Sequence, residues 1–164
     1  MKSKKNIAIA IIVIFISLII INRFLPSNVS SNEEANITWH KYGEGIKLAK
    51  EQKKKVFIDF YADWCVFCKK MEKKTFANAD IANYMNQNFI AIKVFTDVEQ
   101  KLTNEYEVTG LPSFWFLDEK NKRISKLPGF VSASKLMPIL KFINTDSYKS
   151  MSFEKFMENY DKKK

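Results

Sequence analysis

The sequence predicts an α/β domain, a central mixed sheet flanked by helices, preceded by a separate apolar segment at the N-terminus. Three observations carry this reading. Two continuous apolar runs, VFIDFY at residues 56–61 and FIAIKVF at 89–95, read as strands buried on both faces. Residues 65–88 between them repeat apolar positions (Phe67, Met71, Ile81, Tyr84, Met85) at helical spacing, so the two strands should be parallel and joined by a helical crossover. The stretch VTGLPSFWFLDEKNKRISKLPGF at 108–130 reads as strand, turn at DEKNK, and an antiparallel return strand.

The remaining elements fall between these. Trp39, Tyr42, Ile46 and Ala49 recur at helical spacing, and the lysines at 53–55 end that first helix. Residues 97–106 are expected to be helical, as are 134–143, where Leu136, Ile139, Leu140 and Ile143 share a face. In the tail, Phe153, Phe156, Met157 and Tyr160 repeat at helical spacing and predict a packing helix added to the domain. The expected organisation is a membrane segment at 1–25, a linker at 26–36, the α/β domain at 37–145 and a helical extension at 146–164.

Composition narrows the function. The chain has 164 residues, 46% hydrophobic and 14% aromatic, enough for a well-filled core. Its net charge is +9, but four of the 27 basic residues and none of the 18 acidic ones precede residue 26, which leaves +5 for the rest. Those lysines are scattered along helix faces rather than gathered around stacking aromatics, so no nucleic-acid partner is expected. The single histidine, His40, reads as a surface or packing residue near the first helix, and no metal or other cofactor is expected.

The N-terminus reads as an address. Lys2, Lys4 and Lys5 precede 15 uncharged, mostly β-branched or aliphatic residues at 7–21. That length lies between a signal-peptide core and a full membrane helix, and Phe24 and Leu25 extend it past Arg23. The best cleavage candidate, Val29-Ser30-Ser31, lies far downstream, so an uncleaved signal anchor is expected. The lysines stay inside and the rest is exported, facing the periplasm or cell exterior. The Ser- and Asn-rich residues 26–36 form a tether.

Cys65 and Cys68 are the only cysteines. A zinc site would need two further ligands, and no second pair exists. A redox pair needs none. A helix starting at Cys65 would bring both sulfurs into bonding distance, and its unpaired N–H groups would favour an exposed Cys65 thiolate, with Cys68 buried one turn in. Each buried strand also carries one charge, Asp59 and Lys93. Two opposite charges, each alone in an apolar strand, suggest a pair or a short polar network. Asp59, six residues before Cys65, is placed to accept the Cys68 proton; the structural alternative is a plain ion pair.

DFYADWCVFCK at 59–69, VTGLPSFWF at 108–116 and LPGF at 127–130 together resemble the thioredoxin superfamily. They resemble in particular the C-terminal, periplasm-facing thioredoxin-like domain of DsbD-type thiol:disulfide interchange proteins, with its YADWCVxCK motif. The resemblance covers roughly residues 37–143. It implies a thioredoxin-like fold, with Cys65 attacking and Cys68 resolving. It implies that Asp59 is the buried acid, Glu72 a second acid tuning the cysteines, and Lys93 the lysine paired with the buried acid. Trp64, Leu111 and a cis Pro112 would contact substrate, the Leu111 backbone pairing with a substrate strand.

The expected activity is protein-disulfide reduction or exchange on oxidised extracytoplasmic protein thiols. Val66-Phe67 lacks the histidine of strong oxidants, which favours a reductant or exchange catalyst. DsbD-type proteins carry further membrane domains, whereas one membrane segment at most is expected here. A separate membrane thiol-reductant conductor is therefore the expected electron donor. The alternative is a thioredoxin-like module that binds thiols or Cu(I) without turnover; Met71 is the one methionine near the pair. A reporter fused after Lys164 should be active outside the cytoplasm. A cytoplasmic signal there would refute export.

Overall fold

The computed structural model describes residues 36–162. The expected membrane segment and most of the linker lie outside the described residues. Among the described residues no helix is long and apolar enough to cross a membrane.

The elements in chain order are β1 (Trp39–His40), α1 (Tyr42–Gln52), β2 (Lys55–Tyr61), α2 (Val66–Met71), a π-helical turn (Glu72–Phe76) and α3 (Ala79–Asn88). There follow β3 (Phe89–Phe95), α4 (Gln100–Glu105), β4 (Ser113–Leu117), β5 (Arg123–Pro128), α5 (Ala133–Asn144), a short 3₁₀ turn (Ser147–Lys149) and α6 (Phe153–Asp161). The sheet order is β1-β3-β2-β4-β5. β3 is parallel to both β1 and β2, and β4 is antiparallel to both β2 and β5.

Strand alternation divides the core in two. Val56, Ile58, Phe60, Ile90, Ile92, Val94 and Leu117 pack with Ala49 of α1 and Tyr106, and with the partly buried Leu102 of α4. Phe57, Ala91, Phe114 and Phe116 face the other way, toward Met71, Phe76, Ile81, Met85, Leu136 and Leu140. Phe57 is central to that layer, stacked on Phe114 at 5.3 Å and edge-on to Phe116 at 5.3 Å and Phe76 at 6.1 Å.

The structure corrects three expected boundaries. Trp39 is not part of the first helix. It lies in β1, held beside β3 where the Asn86 side chain bonds the backbone of Thr38 and Asn36, both at 2.9 Å. The helix expected from Cys65 to Asn88 is interrupted. A π turn follows α2, and Asn78 then caps a new helix by accepting from the Ile81 N–H at 3.1 Å. Thr75 in that turn donates to the Val131 carbonyl at 2.6 Å, which ties the turn to the loop before α5. The helix expected at 97–106 is shorter, because Asp97 and Val98 belong to the turn leaving β3. The tail helix α6 packs as expected, with Phe153 and Phe156 against Phe142 of α5 at 5.3 and 5.2 Å.

Two glycines of α1 test this packing. A Cβ on Gly45 would stand 2.4 and 2.6 Å from Ile92 Cγ1 and Cδ1, whereas one on Gly43 meets nothing within 4 Å. Gly45→Ala should cost about 1–3 kcal/mol through overpacking. Gly43→Ala should be neutral or stabilising by up to about 1 kcal/mol. Urea midpoints of the two variants check the contrast.

Candidate active site

β2 ends at Tyr61, and the chain turns at Ala62–Trp64 into α2. Cys65 is the N-cap of α2, in extended conformation, and its Sγ accepts from the Cys68 N–H at 3.0 Å. The two cysteines form a disulfide with their Cα atoms 5.2 Å apart. Cys65 is 5% exposed and Cys68 6%. The expected contrast between an exposed Cys65 and a buried Cys68 is thus absent in the disulfide form, where both cysteines pack with Ala62, Tyr61, Phe95 and Leu111.

Exposed apolar side chains flank the cysteines in the chain. Trp64, Val66, Phe67 and Val98 are each more than half exposed, and they are the large hydrophobic side chains so exposed among the described residues. Trp64 and Val98 belong to one rim, since the Trp64 indole N–H donates to both carboxylate oxygens of Asp97, at 3.2 and 3.1 Å. Sequence reasoning missed Asp97 and Val98. Their signal was position, immediately after β3 and hence at the sheet end where β2 delivers the cysteines. Leu111 packs on the disulfide cluster, and the Leu111–Pro112 bond is cis, as expected.

The charges of the two central strands form a short polar network with Glu72 as its third member. Asp59 and Lys93 do stand opposite each other in the β2–β3 register. Yet Lys93 Nζ donates to Glu72 Oε1, not to Asp59. Asp59 is 2% exposed, and among the described residues its Oδ1 has no hydrogen-bond partner. Glu72 starts the π turn at the partly exposed edge, where both ends of an ion pair stay partly hydrated. The Lys93 ammonium also lies over the rings of Tyr61, at 4.8 Å, and Trp39, at 5.0 Å. Nothing in the sequence assigns either ring a role beside Lys93.

Burial pushes the Asp59 carboxyl up to about 7. The nearby Lys93 charge pulls it down by less, and the Glu72 charge adds to the rise. Met71 turns its Sδ to the Val131 N–H at 3.3 Å. Among the described residues no group of three or more His, Cys, Asp or Glu side chains is placed to hold a metal. His40 bonds Glu44 of α1 at 3.1 Å.

The raised Asp59 value sets a pH dependence. Between its ordinary value near 4 and about 7, the folded protein keeps a proton that the unfolded chain has released, so rising pH favours unfolding. This stabilisation is complete below about pH 4 and lost above about pH 7, a change of at most roughly 4 kcal/mol. Asp59→Asn should therefore be more stable than wild type at pH 8, and the two should converge at pH 4. Denaturant unfolding at both pH values checks this; equal stability at pH 8 would show that the carboxyl is not buried ionised.

A family model described as a thioredoxin-like domain matches residues 42–144. The thiol:disulfide interchange protein DsbD of Vibrio vulnificus is 38% identical over 104 residues, and that of Colwellia psychrerythraea 34% over 104 residues. Each match takes in 60% of this chain but only 17% of the DsbD protein. The oxidised C-terminal domain of Neisseria meningitidis DsbD superposes with a TM-score of 0.51 at 28% identity, covering 65% of this chain and 99% of that domain. A thioredoxin from Thermus thermophilus shares the fold at 23% identity, with a TM-score of 0.60, over 65% of this chain and 85% of its own. Over residues 42–144, this chain belongs to the thioredoxin-like domain family.

Proposed function

We propose that this protein is an exported, membrane-anchored thiol:disulfide oxidoreductase that reduces disulfides in extracytoplasmic proteins through Cys65 and Cys68. The observation that supports it most is a Cys65–Cys68 disulfide at the start of α2, flanked in the chain by exposed apolar side chains and preceded by the buried carboxyl of Asp59 on β2. The likeness to DsbD proteins, named for thiol:disulfide interchange, supports the same reading. The basic, then apolar, N-terminus supports export and anchoring.

In the reduced protein, the Cys65 thiolate attacks one sulfur of a substrate disulfide. A mixed disulfide forms and the other substrate sulfur leaves as a thiolate. Cys68 then loses its proton and attacks Cys65 Sγ. The Cys65–Cys68 disulfide forms and the substrate's second sulfur is released, so the substrate gains the two electrons that the pair gives up. Asp59 takes the Cys68 proton; a carboxyl near 7 matches a thiol closely enough to serve as a base at neutral pH. Trp64, Leu111 and Pro112 line the approach to the disulfide and hold the substrate segment. A membrane thiol-reductant conductor returns the electrons by the reverse exchange.

Reduction of insulin disulfides by the full-length protein tests the activity. Cys65→Ser should abolish it, and Cys68→Ser should leave mixed disulfides that persist on Cys65. Turnover by Cys65→Ser, or first alkylation of Cys68 in the reduced protein, would overturn the assignment. Asp59→Asn should slow resolution of the mixed disulfide about 10²-fold or less while sparing the first attack. In wild type the resolution rate should rise through about pH 7 as Asp59 ionises. Stopped-flow traces identical to wild type would leave Asp59 as scaffold.

A further inference from the structure

We propose that Trp39 and Tyr61 are positioning residues whose ring faces hold the Lys93 ammonium against Glu72 and away from Asp59. Lys93 stands level with Asp59 on the adjacent parallel strand, and side chains at matched positions of parallel strands project to the same face. A direct Asp59–Lys93 pair is therefore the nearest electrostatic choice for both groups, and it is not made. Among the described residues no donor reaches Asp59 Oδ1, while Lys93 donates to Glu72.

Two rings account for the choice. Tyr61 lies two residues beyond Asp59 on the same face of β2, its ring 4.8 Å from Lys93 Nζ. Trp39 comes from the other side, because β1 pairs with β3 and sets Trp39 beside Ala91, two residues before Lys93. Its ring is 5.0 Å from the same ammonium. A cation attracted to two flanking π faces keeps its charge stabilised without moving toward Asp59. Glu72 completes the set where a cleft of about 310 Å³, bordered by Asn36, Trp39, Glu72 and Lys93, admits water. An ammonium solvated there avoids the desolvation that a fully buried pair with Asp59 would require. The charged groups acting on Asp59 are Lys93 from β3 and Glu72 from the π turn, and its register partner on β4 is the uncharged Phe114. The rings thus leave the carboxyl unpaired, free to take and return a proton.

The use of that proton in thiol exchange rests on the function proposed above; the placement of Lys93 does not, and its test reads a carboxyl rather than a turnover. The full-length oxidised protein, labelled with ¹³C at aspartate carboxyls, is titrated by NMR, and the Asp59 signal is identified by its loss in Asp59→Asn. With both rings removed (Trp39→Leu with Tyr61→Leu), Lys93 is released toward Asp59. The Asp59 midpoint should then fall by about one pH unit or more, a tenfold loss of proton affinity. Trp39→Phe with Tyr61→Phe keeps two π faces and should keep the midpoint. In a Lys93→Met background, removing the rings should no longer lower it. An unchanged or raised midpoint on losing the rings, or the same fall without Lys93, would overturn the proposal. Should the double variant not fold, Trp39→Leu alone, in a two-residue edge strand, should give a smaller fall that Lys93→Met abolishes; no fall would count equally against it. Failure of insulin reduction together with the expected midpoint shifts would sink the redox reading and leave this one standing.

Discussion

The pairing of β2 with β3 constrains everything around the cysteines. Seven consecutive positions match in parallel, from Lys55 beside Phe89 to Tyr61 beside Phe95. A slip by one residue would carry Asp59 to the α1 side and drive Ile58 or Phe60 toward α2. The apolar residues that alternate with Asp59 and Lys93 forbid this, since each set already fills its own layer of the core. One register therefore sets the depth of the carboxyl, the level of the lysine and the point where the chain leaves the sheet for Cys65.

Within that frame, desolvation and charge pairing compete, and desolvation wins at Asp59. A lysine at the same level moderates the cost of the buried carboxylate without cancelling it, because its ammonium is engaged by Glu72 and two aromatic faces. A domain selected for stability alone would do better with an apolar residue at this position. Keeping the carboxyl there fits the proton-handling role proposed above. On the outer side the logic is reversed. Apolar side chains lie in water where burial would have stabilised them, with Trp64 steadied by Asp97 through its indole N–H.

Most of the scaffold was legible in the sequence. Two continuous apolar runs, the helical spacing between them and the DEKNK turn lead directly to parallel β2–β3 and antiparallel β4–β5. The cysteine spacing indicated the disulfide, and the lone charges Asp59 and Lys93 indicated a polar feature in the sheet. What stayed hidden depended on distances between remote segments. β1 is two residues long, too short to show a period of two, and Trp39 fits a helical repeat equally well. The π turn at Glu72 sets the buried Met71 and Phe76 five residues apart, a spacing that an ideal helical repeat does not anticipate. Lys93 is ion-paired with Glu72 and also acts on Asp59 through space, so the two lone strand charges belong to a short polar network whose third member comes from outside both strands.

The two margins of the sheet have a consequence of their own. β1 offers only Trp39 and His40 along its outer side, and β5 carries Arg123 and Lys126 and ends in Pro128. Arg123 and Lys126 are drawn inward, to the backbone carbonyls of Glu105 and Glu107. A short strand at one edge, and charge with a terminal proline at the other, are poor templates for another chain to extend the ladder. Copies of this domain crowded together are thus protected against joining edge to edge into continuous sheets. Such protection matters most in a molecule that keeps an apolar rim in water.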